Sequence, residues 1–209
     1  EAPHVEKIVD GWVALSWNRV EGATEYEVRR SDTPGGPYTP IATVPDQQWP
    51  GYEDKETYDG ENYYKSFYYV VVAKNEVGLS SAESEEVAVI RPSTPTNVKV
   101  VAGDGEAKVS WDEVERGTTG YKVTVSTAEG VYVYSSFAYT NEATLTKLVN
   151  GTPYYITVAA FGDDGWSKPS ASVTVVPGKL EAPHVEKIVD GWVALSWNRV
   201  EGATEYEVR

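Results

Sequence analysis

Apolar residues recur at every second position along most of this chain, and no stretch sustains the three-to-four-residue spacing of a helix. A period of two places alternate side chains on opposite faces of an extended strand. The pattern therefore commits the chain to half-buried strands, and to sheets that must cover one another. Val13, Leu15 and Trp17 alternate with Ala14 and Ser16; Tyr26 and Val28 read as the next strand, then Tyr69, Val71 and Ala73, then Val87 and Val89. The pattern restarts with Val98 and Val100, Val109 and Trp111, and Tyr121 with Val123 and Val125. Tyr154, Ile156, Val158 and Ala160 follow, and Val173 with Val175 closes the second set. Turn formers separate these runs: Pro34-Gly35-Gly36-Pro37, Asp59-Gly60, Asp104-Gly105, Asn150-Gly151 and Asp164-Gly165. Short strands in two sets of about seven, without helices, predict an all-β chain of consecutive sandwiches.

Residues 181–209 repeat residues 1–29 letter for letter. Folding constrains Val13, Leu15 and Trp17 but scarcely constrains Glu6, Lys7, Asn18 or Arg19, so identity at the latter points to recent duplication, homogenisation between repeats, or design. The expected organisation is a sandwich over 1–91, a second over 92–180 with a C-terminal linker, and the first three strands of a third over 181–209. Those three strands are expected at Val185 to Trp192, Val193 to Trp197 and Tyr206 to Val208. They lack any counterpart of residues 30–90, so another copy of that region is expected to complete them. It is supplied either by continuation of a polymer or by exchange between chains. The junction Arg91-Pro92-Ser93-Thr94-Pro95 favours extended geometry, whereas Val176-Pro177-Gly178-Lys179-Leu180 carries a glycine that lets it bend.

Composition removes several function classes. The chain has no cysteine, which excludes a disulfide framework, a thiolate metal site and a cysteine nucleophile. With no methionine and a start at Glu1, it is expected to be a processed product or an internal piece of something longer. A formal charge of −14 argues against nucleic acid, whose binding rests on cations, and favours repulsion between stacked units. No apolar run is long enough for membrane insertion.

Particular residues carry a family resemblance. In the second half Trp111 and Tyr121 stand as core aromatics. Leu148, Gly151, Thr152 and Tyr154 form a tyrosine-corner pattern that continues through Ile156, Val158, Ala160, Gly165, Ser167 and Ser170. In the first half Trp17, Tyr26, Tyr69, Val71, Ala73, Asn75, Gly78, Ser80 and Ser84 fit the same template. Both halves thus resemble fibronectin type III domains over residues 1–177. Tandem domains of this kind are similar to the repeat unit of a bacterial or archaeal surface fibre. One departure is plain: counting back from Ala73 as from Ala160 puts Phe67 at the corner. The corner hydroxyl bond is then absent there, or a neighbour such as Tyr68 supplies it.

Few residues suggest chemistry. His4, with its copy His184, has no partner that would make a nucleophile–base pair or a metal cluster. Asp163-Asp164 and Glu53-Asp54 could offer oxygens to calcium, but adjacent turn acids are commonly just solvated. No catalytic, cofactor-binding or metal-binding residue is expected. Aromatics are the better clue: Trp49, Tyr52, Tyr58, Tyr63 and Tyr64 crowd one segment, and Tyr132, Tyr134, Phe137 and Tyr139 another. Alternation puts Tyr132 and Tyr134 on one face. These rings are either core and strand-edge cover, or a surface for another protomer or for sugar. Asn150-Gly151-Thr152 has the form of a glycosylation sequon but coincides with a turn that wants positive φ.

The function expected on these grounds is non-catalytic. The chain reads as a structural repeat unit of an extracellular filament or cell-surface tandem array, with copies of itself as partners. The alternative is a spacer, or a weak carbohydrate-binding accessory module, of a secreted polysaccharide-degrading enzyme.

Overall fold

In the computed structural model the alternation becomes burial: Val13, Leu15 and Trp17 turn inward from one strand while Trp12 and Ser16 turn out. The structure describes residues 2–10, 12–127, 130–178, 185–189, 193–197 and 205–208. Domain 1 comprises β1 (Val5–Asp10), β2 (Trp12–Trp17), β3 (Glu25–Ser31), β4 (Thr39–Pro45), β5 (Gly51–Asp54), β6 (Phe67–Lys74) and β7 (Val87–Val89). Two 3-10 turns, Lys55–Tyr58 and Gly60–Tyr64, separate β5 from β6. Domain 2 comprises β8 (Lys99–Ala102), β9 (Glu106–Ser110), β10 (Gly120–Thr127), β11 (Tyr132–Ala138), β12 (Glu142–Thr146), β13 (Tyr154–Gly162), β14 (Gly165–Trp166) and β15 (Val173–Val175).

Each domain is a three-stranded sheet facing a larger one. The orders are β1-β2-β5 with β4-β3-β6-β7, and β8-β9-β12 with β11-β10-β13, where β14 and β15 also pair with β13. All pairs are antiparallel and one face of each sheet packs inward; β6 is the exception to the alternation, buried on both faces from Phe67 to Ala73. The result is two separate cores. One gathers Val13, Leu15, Trp17, Tyr26, Val28, Tyr69 and Val71; the other gathers Val109, Trp111, Tyr121, Val123, Tyr154, Ile156 and Val158.

The same polar pins recur in both cores. Trp17 meets Tyr26 edge-on at 5.5 Å, and Trp111 meets Tyr121 at 5.1 Å. Each tyrosine hydroxyl accepts a backbone N–H at 2.9 Å, from Val20 and from Val114. Val71 N–H donates to Ser84 and Val158 N–H to Ser170, while Ala73 N–H donates to Ser81 and Ala160 N–H to Ser167. The partner of Ser167 is therefore Ser81, not Ser80, because the loop after β6 holds one more residue before its serine.

The corner differs between the domains for a physical reason. Tyr154 accepts the Val149 N–H at 3.1 Å, and Gly151 adopts φ +79° in the preceding turn. The Asn150 side chain accepts from Gly105 N–H and donates to Asp104, which ties the turn to the loop before β9. In domain 1 the two 3-10 turns occupy the corner region and Phe67 is buried without a hydroxyl. Tyr69, rather than Tyr68, supplies the polar tie: its hydroxyl donates to buried Asp54 at 2.8 Å, and Arg30 pairs with the same carboxylate at 2.7 Å. Arg30 also lies 5.0 Å over the Phe67 ring. Burial and the Asp54 charge push the Tyr69 hydroxyl far above its ordinary pKa, so it stays a donor.

In the repeated segment β16 (Val185–Val189) pairs with β17 (Val193–Trp197) in the register of β1 and β2: Val185 faces Trp197 as Val5 faces Trp17. Residues 190–192, part of the expected first strand, lie outside the described residues, as does His184. Tyr206 to Val208 is not a strand. In domain 1 the equivalent β3 is held between β4 and β6, whereas among the described residues β16 and β17 form a two-stranded sheet. Identical residues accordingly differ in burial: Trp17 is 6% exposed and Trp197 37%, Val28 0% and Val208 60%.

Candidate functional site

Asp164 sits in the turn between β13 and β14 and reaches out of domain 2. Its carboxylate accepts the Lys7 ammonium of β1 at 2.7 Å on both oxygens, and the Ile90 N–H just past β7 at 2.7 Å. Lys7 also donates to the Ala88 carbonyl, so one ammonium ties β1, β7 and the second domain together. Next along the chain, Arg91 N–H donates to Ser66 at 3.0 Å. The Arg91 side chain, 6% exposed, runs into the joint with its guanidinium 5.2 Å over Tyr63. Burial pushes its pKa below the ordinary guanidinium value, opposed by Tyr63 and Asp164. Gly165 makes this possible, since a Cβ there would lie 1.6 Å from Arg91 Nη1 and its φ is +120°. Lys168 pairs with Glu61 at the rim. The oxygens of Asp164, and Oδ2 of Asp54, thus accept from protein donors.

Rings gather around this joint. From domain 1, Trp12 meets Tyr58 at 6.4 Å, Tyr58 meets Tyr63 at 5.8 Å, and Tyr63 meets Tyr64 at 5.1 Å, each edge to face. From domain 2, Phe161 contacts Phe137 at 5.8 Å, Tyr139 at 6.4 Å and Trp166 at 5.1 Å. The two groups meet across a groove of about 280 Å³ to which Tyr63, Tyr64 and Trp166 all contribute. Its floor is the outward face of β10 and β13, where Lys122 opposes Ala159 and Thr124 opposes Thr157. The Lys122 ammonium stands 5.8 Å over Trp166.

Of the aromatics singled out from sequence, Tyr58, Tyr63 and Tyr64 come together here, and Phe137 and Tyr139 join the band through Phe161. Trp49 is 82% exposed in the turn before β5, apart from the band. Tyr52 opposes Leu15 and packs on the domain 1 core. Tyr132 and Tyr134 do not share a face. A bulge in the β10–β11 pairing sets Tyr134 opposite buried Val125 and Tyr132 opposite Ser126. Tyr134 is half-buried, donates to the Thr146 carbonyl at 3.0 Å, and is pushed up in pKa by burial. Sequence reading missed Trp12, Phe161 and Trp166 as members of the band. Trp166 carried a signal, a bulky ring directly after the Asp164-Gly165 turn, but nothing local said that it faces another domain.

Comparison with known proteins agrees with the pins and the corner: residues 93–176 match the fibronectin type III family. Fibronectin type III domain-containing protein 2 of Margaritifera margaritifera is 34% identical over 122 residues, covering 54% of this chain and 20% of that protein. The chain thus spans about a fifth of that relative's length. A two-domain fibronectin type III segment of chicken tenascin is similar at 17% identity, with 84% of this chain and 99% of that one covered and a TM-score of 0.40. A fibronectin-III-like protein from Clostridium thermocellum is 32% identical over 44% of this chain and 93% of its own, with a TM-score of 0.37. Fibronectin type III domains are a non-catalytic module type, which directs attention to surfaces and joints. Among the described residues no group of three or more His, Cys, Asp or Glu is placed to hold a metal, and no helix is long and apolar enough to cross a membrane.

Proposed function

We propose that this chain is a non-catalytic structural unit of an extracellular or cell-surface tandem array, a surface fibre of bacterial or archaeal type. Its two sandwiches are held at a set angle, and its natural partners are further copies of itself. The observation that carries this reading is the joint around Asp164 and Arg91. A flexible spacer needs only a linker, whereas this junction adds a shared carboxylate, a buried guanidinium and a glycine whose missing Cβ makes room for it. The letter-for-letter repeat of 1–29 at 181–209 supports periodic reuse of one unit. The charge of −14 supports an extended array that does not collapse on itself.

The test is the angle. Several copies of residues 1–180 joined in register, imaged by electron microscopy, should show one repeating angle between alternate domains. The Asp164→Ala array should show a broad distribution. Equal breadth in both arrays would sink the reading in favour of a flexible spacer of a secreted polysaccharide-degrading enzyme.

A further inference from the structure

We propose that the groove across the joint binds a neutral glycan chain, with sugar rings seated on Tyr63, Tyr64 and Trp166 and their hydroxyls facing Thr124 and Thr157. The argument starts from alternation. Along β10 the residues Tyr121, Val123 and Val125 are buried, so Lys122 and Thr124 point outward; across the sheet Thr157 and Ala159 do the same. The floor is therefore lined by Thr124, Thr157 and Ala159 beside Lys122, and the Thr124 hydroxyl, shared with the Ser135 hydroxyl at 3.3 Å, keeps acceptor capacity. Its walls come from different domains: the 3-10 turn Gly60–Tyr64 on one side and the β13–β14 hairpin carrying Trp166 on the other.

Three chemistries could use the half-buried rings Tyr63, Tyr64 and Trp166, and the groove separates them. A base-stacking nucleic acid needs a cationic track. Here the chain carries −14, Lys168 is paired with Glu61, and Lys122 lies over Trp166. An amphipathic helix needs a broad apolar trough, whereas this floor carries threonines. A pyranose presents an apolar C–H face beside a rim of hydroxyls. The C–H face suits a ring face other than those that Arg91 covers on Tyr63 and Lys122 on Trp166, and the rim suits threonine. An acidic glycan would meet the repulsion of the whole acidic surface, which selects a neutral one. The volume of about 280 Å³ lies near the lower end of ligand sites, which suits a short stretch of a longer chain lying across the joint. An array of such joints would gain avidity along a polysaccharide from sites that are individually weak.

This goes beyond the structural reading, and its failure would leave that reading standing, since the two rest on different residues. The experiment is a titration of the isotopically labelled 209-residue chain with cellohexaose, xylohexaose, chitohexaose and laminarihexaose, followed by NMR. The expected result is saturable shifts at the Trp166 indole and the Thr124 and Thr157 amides with at least one of these sugars. Trp166→Ala should weaken binding about tenfold, equivalent to about 1.4 kcal/mol. Thr157→Val, which preserves shape, should weaken it measurably while leaving thermal unfolding unchanged. Trp49→Ala, at an exposed ring outside the band, should bind as the parent does. The proposal is overturned if none of the sugars shifts the groove, if Trp49→Ala weakens binding as much as Trp166→Ala, or if Thr157→Val binds like the parent. It is equally overturned if the band resonances respond only to protein concentration, which would mean contact between copies.

Discussion

Removing the Asp164 carboxylate should uncouple the two domains without unfolding either. Asp164→Ala deletes an ion pair to Lys7 in which the side chains are 14% and 29% exposed. A pair of that kind contributes about 1 kcal/mol, at the upper end of exposed pairs. The substitution also deletes the charged acceptor of the Ile90 N–H. A hydrogen bond to a charged group contributes about 1.5–3 kcal/mol. Together the joint should lose at most about 2.5–4 kcal/mol of coupling, the sum being an upper bound because Lys7 and Ile90 share one carboxylate. None of this falls on domain 2 alone, whose core is built from residues between 98 and 175 and whose Asp164, among the described residues, finds its hydrogen-bond partners in Lys7 and Ile90 of domain 1. The assay is denaturant unfolding of residues 92–178 and of the intact chain, each with and without Asp164→Ala. The intact chain should lose the extra stability that domain 2 gains from its neighbour, while the isolated domain should keep its midpoint. The pair Lys7→Met and Asp164→Ala should show a coupling energy of about 1 kcal/mol in a double-mutant cycle. An equal loss in the isolated domain would refute the reasoning, because Asp164 would then be acting inside its own fold.

Further outcomes follow from the packing and the charges. Trp17→Ala should cost domain 1 about 3–5 kcal/mol and Trp111→Ala should cost domain 2 a similar amount, whereas Trp197→Ala, at a ring 37% exposed, should leave both thermal transitions unmoved. Tyr154→Phe should cost about 1–3 kcal/mol by leaving the Val149 N–H without its acceptor, and Tyr69→Phe should cost domain 1 a comparable amount through Asp54; equal midpoints for parent and variants by calorimetry would count against these pins. Bonds from Lys74 and Arg29 hold the Glu27 carboxyl below its ordinary pKa of 4.5, and Arg19 holds Asp46 below its own. A depressed folded-state value means that stability is fully present above the unfolded pKa and is lost as pH falls through the folded one. Domain 1 should therefore shed this contribution below about pH 4.5, and Glu27→Gln should flatten that part of its acid unfolding curve; an unchanged curve would contradict the assignment.

What the sequence determined by itself was whatever depends on alternation and local turn chemistry. Val13-Leu15-Trp17 and Tyr154-Ile156-Val158-Ala160 announced inward-facing strands because a sheet face has period two, and Asn150-Gly151 announced its turn because glycine tolerates φ +79°. Weakly patterned edge strands were hidden. β4 reads Thr-Pro-Ile-Ala-Thr-Val-Pro with Val44 as its buried residue, and β12 buries Leu145, so neither carries a legible period. The bulge that separates Tyr132 from Tyr134 was also hidden, since one extra residue in a pairing leaves no mark on the strand itself. Only tertiary structure decided the joint and the band. Asp164, Lys7 and Ile90 are distant in sequence, and so are Tyr64 and Trp166. A side chain's local pattern says which face it occupies, but not which other domain that face will meet.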